Sequence, residues 1–189
     1  MTIKYLLFSL ILGLAISFTA CSGEEDTVGD GGIKDDGVDQ VDDMDGDGSD
    51  LADAPSFSLT TYNDMDLKSS TYEGKVLVIF FFGNSCPPCI GVGPDVEEKL
   101  NKDFANKSDF EIIGIDQWDG NAASVENFQS KTGVSFPLGL NGSDVARDFG
   151  TTYDRLVVVN KEGKITYKGN SIAANNLDEV VDLVKGMVD

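Results

Sequence analysis

"VLVIFFFGNSCPPC" occupies residues 76–89. Its first seven residues are continuously apolar and rich in β-branched and aromatic side chains. That composition marks a strand buried on both faces, within a mostly parallel sheet covered by helices. Gly83, Asn84 and Ser85 end the run, and Pro87 suits the first position of a helix, where its missing N–H costs nothing. Cys86 therefore stands where a buried strand has ended and a helix begins. The positive end of that helix stabilises a thiolate. Cys89 follows one turn later, and at this spacing two sulfurs can join with ordinary disulfide geometry. One accessible thiolate and one resolving thiol are the minimum for disulfide exchange. Cys86 attacks a substrate disulfide, and Cys89 then attacks the mixed disulfide.

Other uses of the pair are weaker. A zinc or iron–sulfur site needs about four ligands, usually from two such pairs. The chain has three cysteines and no histidine, so neither a metal nor any other cofactor is expected. The absence of histidine also excludes Cys–His nucleophile pairs and a histidine general base. A purely structural disulfide remains possible, but a loop this short removes little chain entropy when closed.

Working outward, "PSFSLT" before the quoted stretch alternates apolar and polar residues and reads as a short strand, with a helical turn at residues 70–72. After the cysteines a helix carries Val96, Leu100 and Phe104 at spacing four, with Asp95/Lys99, Glu98/Lys102 and Asp103/Lys107 placed as ion pairs. Gly91, Gly93 and Pro94 weaken its first turns, and Pro94 should kink it. "FEIIGID" is a second buried strand. Residues 124–131 form a helix stopped by Gly133. "SFPLGL" is strand-like, with Pro137 pushing it to an edge. Residues 144–149 form a short helix stopped by Gly150. "RLVVVN", "KEGK" and "ITYKG" make an antiparallel hairpin. The last helix buries Leu177, Val180, Val181 and Val184, with Asp178 and Glu179 in its first turn and Lys185 near its end. The order β–β–α–β–α–β–α–β–β–α means an α/β sheet covered on both faces, and residues 55–189 are one domain.

The preceding residues differ in kind. Residues 1–20 carry one lysine, an apolar stretch from Tyr5 to Phe18 and small residues before Cys21, the shape of a secretory signal peptide. Its apolar stretch is short for a spanning helix. Phe18-Thr19-Ala20-Cys21 resembles the lipobox of bacterial lipoproteins, with Phe18 where leucine is usual. That implies lipidation of Cys21 and a place in a bacterial cell envelope, held to the membrane by lipid on its periplasmic or surface face. It also leaves Cys86 and Cys89 as the free thiols, outside the cytosol, where disulfides persist. Residues 22–54 hold 13 acidic residues against one lysine, out of a formal net charge of −19 for the chain. Residues 21–54 read as a disordered tether kept extended by like charge. Within it, "DMDGDG" at residues 43–48 starts like an EF-hand loop, but Asp50 and Ala54 break the pattern where an apolar residue and a bidentate glutamate belong. Nothing is basic enough for a nucleic-acid partner. Nothing marks an oligomer, so the domain is expected to be monomeric.

From residue 54 to the end the chain resembles the thioredoxin-fold TlpA/ResA group of thiol–disulfide oxidoreductases, within the redoxin and AhpC/TSA superfamily. The resemblance rests on "APSFSL", "YEGKVLVIFFFG", Cys-Pro-Pro-Cys, Pro94, "FEIIGID", "FPL" and "VVVNKEGKITYKG". It implies a central mixed sheet with helices on both faces and a terminal hairpin plus helix. It also implies membrane-tethered exchange with protein thiols or disulfides and a redox partner, in cytochrome maturation or general thiol repair. The departures lie around the site. Ser85 stands where the group usually has tryptophan, and Val92 where some members carry an acid. The group's substrate-gripping cis-proline falls near Asp154 in "TTYDRLVVVN". A carboxylate there disfavours a thiolate, which Arg155 could offset. The expected site lining is Ser85, Pro87, Pro88, Trp118, Tyr153, Asp154 and Arg155. Trp118 follows "IIGID" and either packs or walls the site.

Two other functions stay open. A peroxiredoxin resembles P-x-x-x-T/S-x-x-C at its reactive cysteine, but Ile79 and Gly83 occupy the motif's proline and Thr/Ser positions. A non-catalytic lipoprotein that uses a thioredoxin scaffold for binding is the alternative favoured by the missing proline and tryptophan.

Overall fold

The computed structural model describes residues 51–151 and 153–189. The residues expected to be a signal peptide, Cys21, the acidic EF-hand-like stretch and nearly all of the expected tether at residues 21–54 lie outside the described residues. At the end of that expected tether, Ala54 N–H donates to Gly163 and Ala52 accepts from Ile165, so the backbone there runs against the terminal hairpin.

The expected buried strand, β3 (Val76–Phe82), is the centre of a five-stranded sheet, and every residue in it is buried. It pairs in parallel with β4 (Phe110–Asp116) and antiparallel with β6 (Arg155–Val159). β5 (Leu138–Gly139) lies beyond β4 at one edge and β7 (Ile165–Lys168) beyond β6 at the other. The edge position of β5 matches the restriction that Pro137 imposes.

Alternation along β3 divides the interior in two. Val76, Val78, Phe80 and Phe82 face a core shared with both cysteines, α1 (Pro87–Val96), α2 (Ala122–Thr132) and α4 (Ala173–Met187). Phe82 stacks on Phe128 of α2 with ring centroids 4.2 Å apart. Leu77, Ile79 and Phe81 face the opposite core, closed by α3 (Ser143–Asp148) and Phe149. The fold is α/β and thioredoxin-like, a mixed sheet with helices on both faces.

Four details differ from expectation. The first strand, β1 (Ser58–Thr60), pairs with an unforeseen β2 (Asp66–Lys68) in a separate hairpin. The hairpin packs where Gly139 has no side chain, since a Cβ there would meet Leu67 at 2.8 Å. The helix after the cysteines changes register beyond Pro94 and continues as a π-helix over Glu97–Lys102. Pro94 has no N–H to offer the preceding turn, and Asp103 N–H reaches back five residues to Glu98. Of the three expected ion pairs, Glu98–Lys102 forms. In place of the other two, Lys99 pairs with Asp178 on α4 and Lys107 donates to the backbone oxygen of Asp189. Finally, α4 begins at Ala173, so Asp178 and Glu179 lie in its second turn rather than at its dipole end. Among the described residues no helix is long and apolar enough to cross a membrane.

Candidate functional site

β3 delivers the chain to Gly83, and a tight turn follows in which Cys86 N–H donates to Gly83 at 3.0 Å. Cys86 is the N-cap of α1, with Pro87 and Pro88 as the first helical residues. Its Sγ accepts from Cys89 N–H at 3.3 Å, the role that serine or aspartate side chains fill at other helix starts. The two cysteines form a disulfide with Cα atoms 5.3 Å apart. They are not equivalent. Cys86 keeps 8% of its surface accessible and Cys89 none. Cys89 belongs to the core cluster that also holds Phe82, Val92 and Val96, and its Sγ accepts from Gly83 N–H at 3.4 Å. Ser85, Pro87 and Pro88 are exposed around the outer sulfur. Beyond Pro88, a groove of about 440 Å³ runs between α1 and the start of α4, floored by Val92 and Leu177. A second cavity of about 310 Å³ lies among Phe57, Tyr72, Phe149 and the turn at Gly163, at the other end of the strands from the cysteines.

Asp154 lies just before β6, is 6% exposed, and has a carboxylate oxygen within 4.8 Å of both sulfurs. Among the described residues it accepts one hydrogen bond, from Ala173 N–H at the start of α4, at 3.2 Å. The position that resemblance assigns to a proline thus presents a buried carboxylate to the disulfide. Arg155 pairs across the sheet with Phe81, which belongs to the opposite core. Strand alternation therefore turns its guanidinium away from the sulfurs. There it lies 4.2 Å from the centroid of the Tyr153 ring and donates to Gly150 at 3.4 Å. Among the described residues Arg155 makes no ion pair with Asp154, and the Tyr153 ring is engaged with Arg155.

Trp118 is 53% exposed and lies flat against Gly83, where a Cβ would meet the indole at 2.5 Å. It shares Gly83 with Cys89, so it both packs and borders the turn that leads into the cysteines. What holds it there was not found by sequence reasoning. Asp116, fully buried at the end of β4, accepts from Asn84 N–H at 3.2 Å, Asn84 Nδ2 at 3.0 Å, Trp118 N–H at 3.2 Å and Gly120 N–H at 2.6 Å. One carboxylate clamps the turn before the cysteines to the loop that carries the tryptophan. The available signal was an aspartate closing an otherwise apolar strand.

Comparison with known proteins agrees with this geometry. The family model of the AhpC/TSA family matches residues 51–168. Thiol-disulfide oxidoreductase ResA of Bacillus subtilis is 30% identical over 122 residues, covering 62% of this chain and 65% of that protein, so the chain spans just under two thirds of that relative. A solution structure of a protein disulfide isomerase candidate from Bacteroides thetaiotaomicron superposes with a TM-score of 0.65 at 28% identity, covering 72% of this chain and 87% of that one. The thioredoxin domain of a Bacteroides vulgatus thiol-disulfide oxidoreductase has a TM-score of 0.62 at 19% identity, covering 73% of this chain and 96% of that one, a likeness of fold.

Proposed function

Because the chain belongs to the AhpC/TSA family, with ResA-type thiol–disulfide oxidoreductases among its relatives, we propose that it exchanges disulfides through Cys86 and Cys89. The observation that carries this is the asymmetry of the pair: Cys86, which keeps 8% of its surface accessible, at a helix N-terminus, and a fully buried Cys89 bonded to it. In the reduced protein the Cys86 thiolate attacks one sulfur of a substrate disulfide. A Cys86–substrate bond forms, the substrate S–S bond breaks, and the departing thiolate takes a proton. Cys89 then loses its proton and attacks Cys86 Sγ. The mixed disulfide breaks and the second substrate thiolate leaves and is protonated. The substrate gains two electrons and two protons, and the pair returns to the disulfide. A dithiol redox partner reverses the last state.

The Cys89 N–H and the helix terminus favour charge on Cys86, while Asp154 opposes it. Pro88, Trp118 and the groove beside Val92 line the approach of a protein substrate. We propose further that residues 1–20 are a signal peptide, that Cys21 carries lipid, and that residues 21–54 tether the domain at residues 55–189 to a bacterial envelope membrane.

The test is reduction of insulin by the reduced protein. Cys86→Ser abolishes it, and an unchanged rate would sink the exchange reading. Peroxide consumption separates the peroxiredoxin reading, which Ile79 in the core and Gly83 at the turn disfavour. A midpoint potential between roughly −270 and −120 mV fits a working pair, whereas one below about −300 mV fits a structural disulfide on a binding scaffold.

A further inference from the structure

Three potential metal ligands converge at the site: Cys86 Sγ, Cys89 Sγ and a carboxylate oxygen of Asp154, all buried and all within 4.8 Å of one another. The sequence offers one cysteine pair and no histidine, which argues against a metal. Folding adds a third donor from a position 65 residues beyond Cys89 in the chain.

We propose that the reduced protein binds one zinc ion through Cys86, Cys89 and Asp154, so that zinc and the disulfide are alternative occupants of the same two sulfurs. The proposal rests on the exchange reading only in requiring a pair that can be reduced and reoxidised.

Zinc sits about 2.3 Å from thiolate sulfur and about 2.0–2.2 Å from carboxylate oxygen. A tetrahedron of those bond lengths separates its ligand atoms by roughly 3.5–3.8 Å. The carboxylate oxygen and the sulfurs need to close by about 1 Å at most to meet that, while the two sulfurs, bonded to each other here, must open to it on reduction, a movement available to the Cys86 side chain at the open end of the site. Asp154 is already oriented. Ala173 N–H holds one of its oxygens, the kind of supporting bond that metal-ligating carboxylates receive. Its remaining lone pairs carry no other hydrogen bond among the described residues, and one of its oxygens lies within 4.8 Å of both sulfurs.

Charge points the same way. Two thiolates and a carboxylate in one buried pocket are costly without a cation. Arg155, the nearest candidate counterion in sequence, faces the other core. A divalent ion reduces the local charge from −3 to −1. Two sulfur donors select zinc over magnesium or calcium, which take oxygen ligands. Three protein ligands leave the fourth position to water, on the Cys86 side where the site meets solvent.

Binding is not a redox step. Zinc enters, two S–Zn bonds and one O–Zn bond form, and two thiol protons leave to solvent. Release reverses this: the ion dissociates, the two sulfurs regain their protons, and only the zinc-free pair passes two electrons and two protons to a substrate disulfide and becomes the disulfide. Bound zinc thereby protects the reduced pair and blocks exchange until it is removed.

The test uses the full chain, reduced, freed of reductant and kept under argon. Zinc chloride is added, unbound ion is removed by desalting, and retained zinc is read with a chromophoric chelator. About one zinc per reduced chain and none per oxidised chain is the expected result. Asp154→Ala weakens binding at least 10-fold, and Asp154→Asn does the same while preserving side-chain shape and the Ala173 bond. Stoichiometric zinc inhibits insulin reduction by the wild type. No zinc on the reduced chain overturns the proposal. Equal affinity in both Asp154 variants overturns it too, because the dithiol alone would then hold the ion. Equal retention by the oxidised chain would assign the zinc to the acidic tail and overturn it as well. Insulin reduction by the zinc-free protein runs in parallel, so a chain that reduces insulin but retains no added zinc overturns this proposal alone, and a zinc-binding chain that is inactive when zinc-free overturns the exchange reading alone.

Discussion

Replacing Asp116 with alanine should loosen the candidate site without touching either sulfur. The carboxylate accepts from three backbone N–H groups and one side-chain amide, drawn from the turn before Cys86 and from the loop of Trp118. Hydrogen bonds to a charged group contribute about 1.5–3 kcal/mol each, and a buried donor left unpaired costs about 1–3 kcal/mol. Asn84 and Gly120 are only partly buried, so water repays some of this. The expected net loss is about 3 kcal/mol. With a urea m-value of about 2 kcal/mol/M, that moves the unfolding midpoint down by about 1.5 M. The assay is equilibrium urea unfolding of the oxidised protein, followed by circular dichroism and by Trp118 emission. Trp118 is the chain's single tryptophan, so the second probe reports this loop alone. A fall in insulin-reduction rate should accompany the shift, because Asn84 and Gly83 lead directly into the cysteine turn. A midpoint change below about 0.3 M with unaltered m would refute the view that Asp116 organises both loops.

Gly83→Ala places a Cβ 2.5 Å from the Trp118 ring and should displace the indole into water. Its emission should shift to the red; an unchanged spectrum would contradict the packing. Glu97, 5% exposed, accepts from Ser135 N–H and Ser135 Oγ at 2.8 Å and from Asn101 at 3.1 Å, tying the π-helical turn to the loop after α2. Glu97→Ala should cost about 2 kcal/mol in urea unfolding, and a loss under about 0.5 kcal/mol would show the ties to be dispensable. Burial, and after it the charge of Glu111, pushes the Tyr72 phenol up from 10.0 to about 12. The folded chain holds that proton when the unfolded chain has lost it, so the contribution is complete below pH 10 and disappears as pH rises through 12. Between pH 9 and 11 the wild type should lose more stability than Tyr72→Phe; equal losses would argue against a buried phenol.

Much of the fold was legible because its signals are local. Seven apolar residues in β3 specify burial on both faces, and Pro87 after Cys86 specifies a helix start. Gly133 and Gly150 end their helices at φ 72° and 63°, conformations that glycine adopts without strain. The β1–β2 hairpin was not legible, because β2 is three residues with a single buried leucine and is stabilised by packing near Gly139 rather than by its own pattern. The π-helical turn was legible only as a kink at Pro94, since where a helix recovers its register depends on what it packs against.

The candidate site divides along the same line. Cys86 and Cys89 are neighbours on one helix turn, so spacing alone brings their sulfurs together, and the sequence by itself determined the chemistry available to them. Asp154 and Arg155 are also neighbours, yet one faces the disulfide and the other the opposite core. Which of the two points inward depends on the register of β6 against β3, where Arg155 pairs with Phe81. A shift of one residue would exchange them. That register is decided by packing on both faces of the sheet, among residues far apart in the chain, and only the tertiary structure could decide that the disulfide meets a carboxylate.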